Sequence, residues 1–320
     1  MAMKAYEKND LLLYAIWLYY NEGLTQEKIA QKLNISRVSV TRMLTKARQD
    51  GLVKICITRP LPMHLQMEID LEKKLGLKKA MVVKTGKTED ETLNALGHVG
   101  AIHMMELLSK VDRLGIGWSS TVSRMATYLP QSRQQFRCIV NELAGSMLGT
   151  ENPYSISGRI AQALGVHVET IPVPAIVQNP ETRVALMTEP VIQKALTNAA
   201  KCDAAFVGIG EIGSENTMVR TGSLSVSQMD ALRQQGAVGE ILLRYFDRDG
   251  KHIPTPIETH IISLEWKHIR KIPYLSVMAI GEKKVNALLG AIRGKLIDCL
   301  ITDSDTADLL MKRSTAQELV

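Results

Sequence analysis

Residues 24–47 read LTQEKIAQKLNISRVSVTRMLTKA, two short helical patterns joined by a turn, the second carrying a polar stripe of Arg37, Thr41 and Arg42. This spacing fits a helix-turn-helix and predicts a segment that reads DNA. Leu24, Ile29, Ala30 and Leu33 share one side of the first helix, and Thr25 stands where an N-cap belongs. Asn34 suits the left-handed turn position. Ser36 is placed to cap the second helix, and Val40, Met43, Leu44 and Ala47 follow at i, i+3, i+4 and i+7 on one apolar face.

The opposite face then carries Arg37, Val38, Thr41, Arg42 and Thr45, with Ser39 and Lys46 beside it. Cations and hydroxyls suit phosphates, a guanidinium suits guanine, and the Val38 methyl groups suit thymine. Thr25, Gln26, Ser36, Arg37, Val38, Ser39, Thr41, Arg42 and Lys46 are the candidate DNA contacts. Charge placement agrees. Residues 1–60 hold ten Lys and Arg against five Asp and Glu, a balance of +5, whereas the other 260 carry 29 against 28. Nearly all of the net +6 lies on the segment with the motif.

With 320 residues and 45% hydrophobic content, the chain has room for a small domain and one large core. The apolar run at 11–20 is too short to span a bilayer and follows acidic Glu7 and Asp10, so it is expected as a first helix under the helix pair. No membrane partner is expected. Cys56, Cys138, Cys202 and Cys299 show no metal-ligand spacing and read as buried reduced thiols of a cytoplasmic protein. No metal and no cofactor are expected.

The run 51–58 follows a glycine helix stop with alternating residues, the pattern of a short wing strand. Arg59-Pro60-Leu61-Pro62 breaks both periodicities, and a helical pattern resumes at Leu65. The expected organisation is a winged helix-turn-helix domain at 1–58, a linker at 59–66 and a larger domain at 67–320. In the larger domain, strand-like runs at 80–84, 113–117, 138–142, 167–173, 204–209, 276–279 and 300–302 alternate with helical stretches at 91–108, 122–129, 157–164, 182–188 and 191–199. Such alternation predicts an α/β, Rossmann-like domain with a mostly parallel sheet.

Ligands in such a sheet collect where strands end and helices begin. At 113–121, an apolar strand pattern ends in Gly115 and Gly117, and Ser119, Ser120 and Thr121 follow at the start of a helix. Glycines admit an anion to the backbone, hydroxyls donate to it, and a helix N-terminus favours its charge. A dinucleotide site is the nearest competitor, with Glu142 as the ribose-binding acid. Ser120 replaces its third glycine, however, and no Lys stands where a P-loop requires one. A small phosphorylated ligand is preferred. Gly145-Ser146, Glu240 beside Gly236 and Gly239, and Lys284 after an apolar strand supply further donors, an acid for sugar hydroxyls and a cation; Gly208-Ile209-Gly210 is a further strand-end turn that could wall the pocket. The candidate effector contacts are Gly117, Trp118, Ser119, Ser120, Thr121, Gly145, Ser146, Glu240 and Lys284.

The segments YYNEGLTQEKIAQKLNISRVSVTRML, GIGWSST (115–121), VGIG (207–210), GAVGEILLRYFDRDG (236–250) and LITDSDTADLL (300–310), in this order, make the chain resemble the SorC branch of the SorC/DeoR-type bacterial transcriptional regulators. The resemblance implies a winged helix-turn-helix joined to a domain similar in fold to glucosamine-6-phosphate deaminase and ribose-5-phosphate isomerase. It also implies a homo-oligomer, commonly a dimer of dimers, whose affinity for operator DNA responds to a phosphorylated sugar. Carried over by position, the family's phosphate loop falls on 117–121, its acidic contact on Glu240 and its lysine on Lys284. Glu240 replaces the usual Asp, and Leu243 a common glycine.

An enzyme is the alternative: a sugar-phosphate isomerase or deaminase with a DNA-binding head. Its seven His residues form no close catalytic or metal-like pair in sequence, although His252 and His260 flank a Pro-containing loop that could approach a ligand. No catalytic residue is assigned.

Overall fold

A computed structural model of the protein describes residues 8–54, 59–130, 136–146 and 156–317. The chain divides into two compact units, Met1–Leu61 and Pro62–Val320.

In the first unit, α1 (Lys8–Tyr20), α2 (Gln26–Leu33) and α3 (Arg37–Gln49) close around Ala15, Leu18, Ile29, Ala30, Val40 and Leu44. The apolar run near the start is thus a helix, with Ala15 and Leu18 fully buried. Local chemistry sets the boundaries. Thr25 Oγ1 accepts the Lys28 N–H, Asn34 ends α2 with φ 53° and ψ 46°, and Ser36 Oγ accepts the Ser39 N–H. The Arg48 Nε–H donates to Tyr20 Oη at 2.8 Å and ties α3 to α1. Gly51 ends the segment at φ 73°, and residues 51–54 form a turn and irregular chain. The remainder of the expected wing strand, 55–58, lies outside the described residues.

The second unit opens with α4 (Met63–Leu75), which starts inside the segment read as linker because Pro62 serves as its N-cap and Met67 and Leu71 pack into the core. A seven-stranded, wholly parallel sheet follows. Its strands in chain order are β1 (Lys79–Val83), β2 (Arg113–Ile116), β3 (Ile139–Glu142), β4 (His167–Glu169), β5 (Ala204–Val207), β9 (Tyr274–Met278) and β10 (Cys299–Asp303); the spatial order is β1-β10-β9-β5-β2-β3-β4. Between β5 and β9 the chain adds a small antiparallel sheet of β6 (Gly210–Glu211), β7 (Ala237–Ile241) and β8 (Arg244–Asp247).

Strands buried on both faces are continuously apolar, and β5 is Ala-Ala-Phe-Val, every residue buried. One face is covered by α5 (Glu89–Leu108), α6 (Ser120–Tyr128) and α7 (Ile156–Leu164), which pack Leu96, Met104, Val122, Met125 and Ile160 onto Leu114, Phe206, Met278 and Ile301. The other is covered by α4 and by the helices Val285–Arg293 and Ser304–Gln317. Cys138, Cys202 and Cys299 are buried free thiols, pushed by burial to about 11, 12 and 11. Cys56 lies outside the described residues.

The antiparallel sheet gives Glu240 a setting that the sequence reading, which placed it beside Gly236 and Gly239, did not include. Glu240 sits inside β7, because Gly239 lets the strand lie against the helix Val285–Arg293; a Cβ there would come 2.5 Å from Ala287 Cβ. The strand read at 167–173 ends at Glu169, and Ile171 and Val173 instead join a local apolar cluster.

Candidate functional site

On α3, Val40, Leu44 and Ala47 face the core, which turns Arg37, Val38, Thr41, Arg42 and Lys46 outward. Val38 is 63% exposed, a large apolar side chain left in water on a charged face. Arg37, Arg42 and Lys46 make no side-chain hydrogen bond or ion pair among the described residues, so their charge is available. Thr41 Oγ1 donates to Gln26 Oε1 at 2.8 Å, joining the start of α2 to the exposed face of α3. Thr25, Ser36 and Ser39 are occupied with capping: Ser36 Oγ takes the Ser39 N–H at 3.1 Å and lies 2.9 Å from Ser39 Oγ.

In the second unit, the C-terminal ends of β2, β5 and β9 open into a cavity of about 140 Å³. Trp118, Ser119, Ser120, Thr121, Glu240 and Lys284 line it together, with Gly208, Ile209 and Gly210 as a wall. This is the strand-end position where open α/β sheets collect ligands.

The hydroxyl cluster does not act as one donor set. Ser119 Oγ caps α6 by accepting the Thr121 and Val122 amides at 3.1 and 3.2 Å. Thr121 is buried, and its Oγ1 donates to Met278 O at 2.8 Å while lying 2.5 Å from Ser119 Oγ. Ser120 is exposed, and its amide and hydroxyl make no hydrogen bond within the described residues, which leaves them for a ligand at the helix N-terminus.

The glycines before this turn answer to packing. A Cβ at Gly115 would meet Leu143 Cδ2 at 2.7 Å; one at Gly117 would meet Leu242 and Val207 at 3.0 Å. The Gly117 N–H is spent on Phe206 O, so Gly117 contributes room rather than a donor. Trp118 packs against two core clusters and lines the cavity, its Nε1 buried without a hydrogen-bond partner among the described residues.

Glu240 and Lys284 define the far wall. Burial pushes the Glu240 carboxyl up, while the Leu243 N–H at 2.8 Å and the nearby Lys284 ammonium oppose the shift. Burial pushes Lys284 down, opposed by Glu240 and Glu211. The Lys284 ammonium makes no hydrogen bond or ion pair among the described residues. The hairpin after Glu240 turns through Leu242 and Leu243 at φ 53° and 65°, a left-handed pair that β-branched or bulky residues rarely adopt. Both leucines are buried, which offsets the strain, and Leu242 faces the cavity.

Several expected contacts lie elsewhere. The Gly145 N–H donates to Ile262 O, and Ser146 pairs with Val173 and Pro174 through its backbone, so these two residues extend strand pairing and do not line the cavity. Glu142, the candidate ribose acid, is consumed internally by the Ser157 hydroxyl at 2.7 Å and the Ile171 amide at 2.8 Å. His252 lies 2.7 Å from Glu258 and stacks on Trp266, while His260 Nδ1 lies 3.1 Å from Val177 O; neither reaches the cavity.

Other lining residues escaped sequence reasoning: Glu89 and Leu93 from α5, Asn216 and Thr217 at the start of a short helix, and Met278 and Ala279 at and just after the end of β9. The strand-end rule could have found the last two. Glu89 carries no local signal beyond the first-turn acidity common to helices.

Residues 60–312 match the Sugar-bind family, described as "Putative sugar-binding domain". The chain is 30% identical over 312 residues to the transcriptional regulator YjhU of Escherichia coli (strain K12), covering 95% of this chain and 94% of that one. It is 30% identical over 307 residues to the sorbitol operon regulator of Klebsiella pneumoniae, covering 94% and 98%. The crystal structure of full-length SorC from Klebsiella pneumoniae superposes with a TM-score of 0.73 over 96% of this chain and 99% of that one, at 30% identity. A three-helix unit with an outward cationic helix, a strand-end cavity and likeness along nearly the whole chain agree: the protein belongs to the SorC family of sugar-responsive transcriptional regulators.

Proposed function

We propose that the strand-end cavity binds a phosphorylated sugar or sugar alcohol and that its occupancy controls how α3 engages operator DNA. The observation that carries this reading is the junction, in one cavity, of an uncommitted Ser120 at a helix N-terminus with Glu240 and Lys284. Phosphate goes to the Ser120 amide and hydroxyl; hydroxyl groups go to Glu240; Lys284 supplies charge. The name of the Klebsiella relative, a sorbitol operon regulator, supports a carbohydrate-utilisation operon as the target.

In this reading Arg37 and Arg42 reach base edges, Lys46 holds phosphate, and Gln26 and Thr41 fix the contact between the two helices. The protein works in the cytoplasm as a dimer or dimer of dimers on a near-palindromic site. Coupling requires only that the effector bind the DNA-competent and DNA-incompetent states with different affinity.

Thermal-shift screening of the full chain against phosphorylated sugars, followed by gel-shift titration of operator DNA with each hit, tests the proposal. Stabilisation with altered DNA affinity is expected. A carboxyl and a lysine both shifted toward their neutral forms also suit proton transfer in an isomerase. A turnover assay on each hit separates the readings: product formation would replace the sensor with an enzyme.

A further inference from the structure

The cavity is poor in positive charge for a phosphate site. Lys284 is its one cation among the described lining residues, whereas Glu89 and Glu240 both line it. Glu211 also acts on the Lys284 ammonium. A phosphomonoester carries about −1.5 to −2 at pH 7, which the N-terminus of α6 and one lysine can hold. A second phosphate in so small a space would stand against Glu89, with Trp118, Leu242, Met278 and Ile280 as largely apolar walls.

Glu89 is set apart from its neighbours. The first turn of α5 holds three acids. Asp90 pairs with Arg124 at 2.7 Å, and Glu91 accepts the Lys87 N–H at 2.8 Å. The Glu89 side chain makes no hydrogen bond or ion pair among the described residues and lines the cavity. Glu240 lines the cavity from β7, where Gly210 leaves room for its carboxyl group.

We infer that Glu89, at the rim of a cavity whose described lining holds a single cation, acts as a charge filter that admits compounds with one phosphate and an uncharged, hydroxyl-bearing remainder, and excludes sugar bisphosphates. The inference rests on the phosphorylated-ligand reading above and narrows it to a chemical class. Glu89 is the specificity-determining residue it adds.

Isothermal titration of the full chain with sorbitol 6-phosphate, fructose 6-phosphate and fructose 1,6-bisphosphate tests it. At least one monophosphate is expected to bind about tenfold or more tightly than the bisphosphate. Glu89→Gln should narrow that ratio about tenfold by favouring the bisphosphate, while Glu89→Asp, which keeps the charge, preserves the preference. An unliganded melting temperature equal to that of the parent chain shows that each variant is folded. A bisphosphate that binds as tightly as the monophosphates, or a ratio that Glu89→Gln leaves unmoved, overturns the filter and leaves the phosphorylated-ligand reading standing. No binding of any of the three, or of inorganic phosphate, overturns that reading and the filter with it.

Discussion

Gly210 stands opposite Glu240 in the β6–β7 pair, and a Cβ at Gly210 would lie 2.0 Å from Glu240 Oε1. The absence of a side chain at Gly210 is therefore what holds the acid in its place in the cavity wall. Gly210→Ala must displace the carboxylate, and with it the acceptor of the Leu243 N–H. The expected cost is about 1–3 kcal/mol of stability, with effector affinity reduced and operator binding by α3 retained. A melting curve and a gel-shift titration with and without effector check this; an unchanged effector response would remove Glu240 from the site.

The three adjacent hydroxyls of 119–121 should separate on mutation. Ser119→Ala removes the cap of α6 and is expected to cost about 1 kcal/mol, lowering the melting temperature. Thr121→Ala breaks the link from α6 to Met278 O and should destabilise as well. Ser120→Ala should leave the melting temperature in place and weaken effector binding alone. Equal effects of Ser119→Ala and Ser120→Ala on both measurements would sink the assignment of Ser120 as the ligand's donor.

Much of this arrangement was legible in the sequence where the governing forces are local. Thr25 and Ser36 announced their caps through side-chain chemistry, Asn34 through its tolerance of the left-handed region, and β5 through an unbroken apolar run. The strand-to-helix turn at 117–121 was equally visible. What stayed hidden depends on residues distant in the chain. Gly145 and Ser146 have the same local pattern as the true pocket turn, yet they pair with Val173 and Ile262. The β7–β8 hairpin was masked because Leu242 and Leu243 occupy left-handed positions where Asn or Gly would have signalled a turn. Glu89 lines the cavity together with Met278 from the end of β9, residues far apart in the chain that only the tertiary fold brings to one site.

Arg42 is exposed on the face of α3 opposite Val40, Leu44 and Ala47, and its side chain is not paired among the described residues. Arg42→Ala should weaken operator binding by about 1–3 kcal/mol without lowering the melting temperature. Lys46→Ala should weaken binding uniformly across DNA sequences and reduce the salt slope by about one. Gel-shift titrations at several salt concentrations check both. An Arg42→Ala variant with parental affinity would place base reading elsewhere on the helix.

Burial raises the Glu240 carboxyl in the folded protein, which gives stability a definite dependence on pH. An unfolded chain releases this proton in the ordinary carboxylate range, about 4.3, whereas the folded chain keeps it to higher pH. In the interval between the two, the unfolded state binds fewer protons, so stability contributed below the unfolded value is lost as pH rises through the folded one. Lys284 is shifted down, and its contribution has the opposite sign: it is present above the ordinary lysine range and is lost as pH falls through the lowered folded value. The two windows begin from opposite ends of the scale. Glu240→Gln abolishes the first and leaves Lys284 facing one carboxylate fewer. The unliganded parent chain should therefore lose melting temperature relative to Glu240→Gln as pH rises from about 5. A difference between the two proteins that is constant with pH would show that Glu240 ionises in the folded state as it does in water.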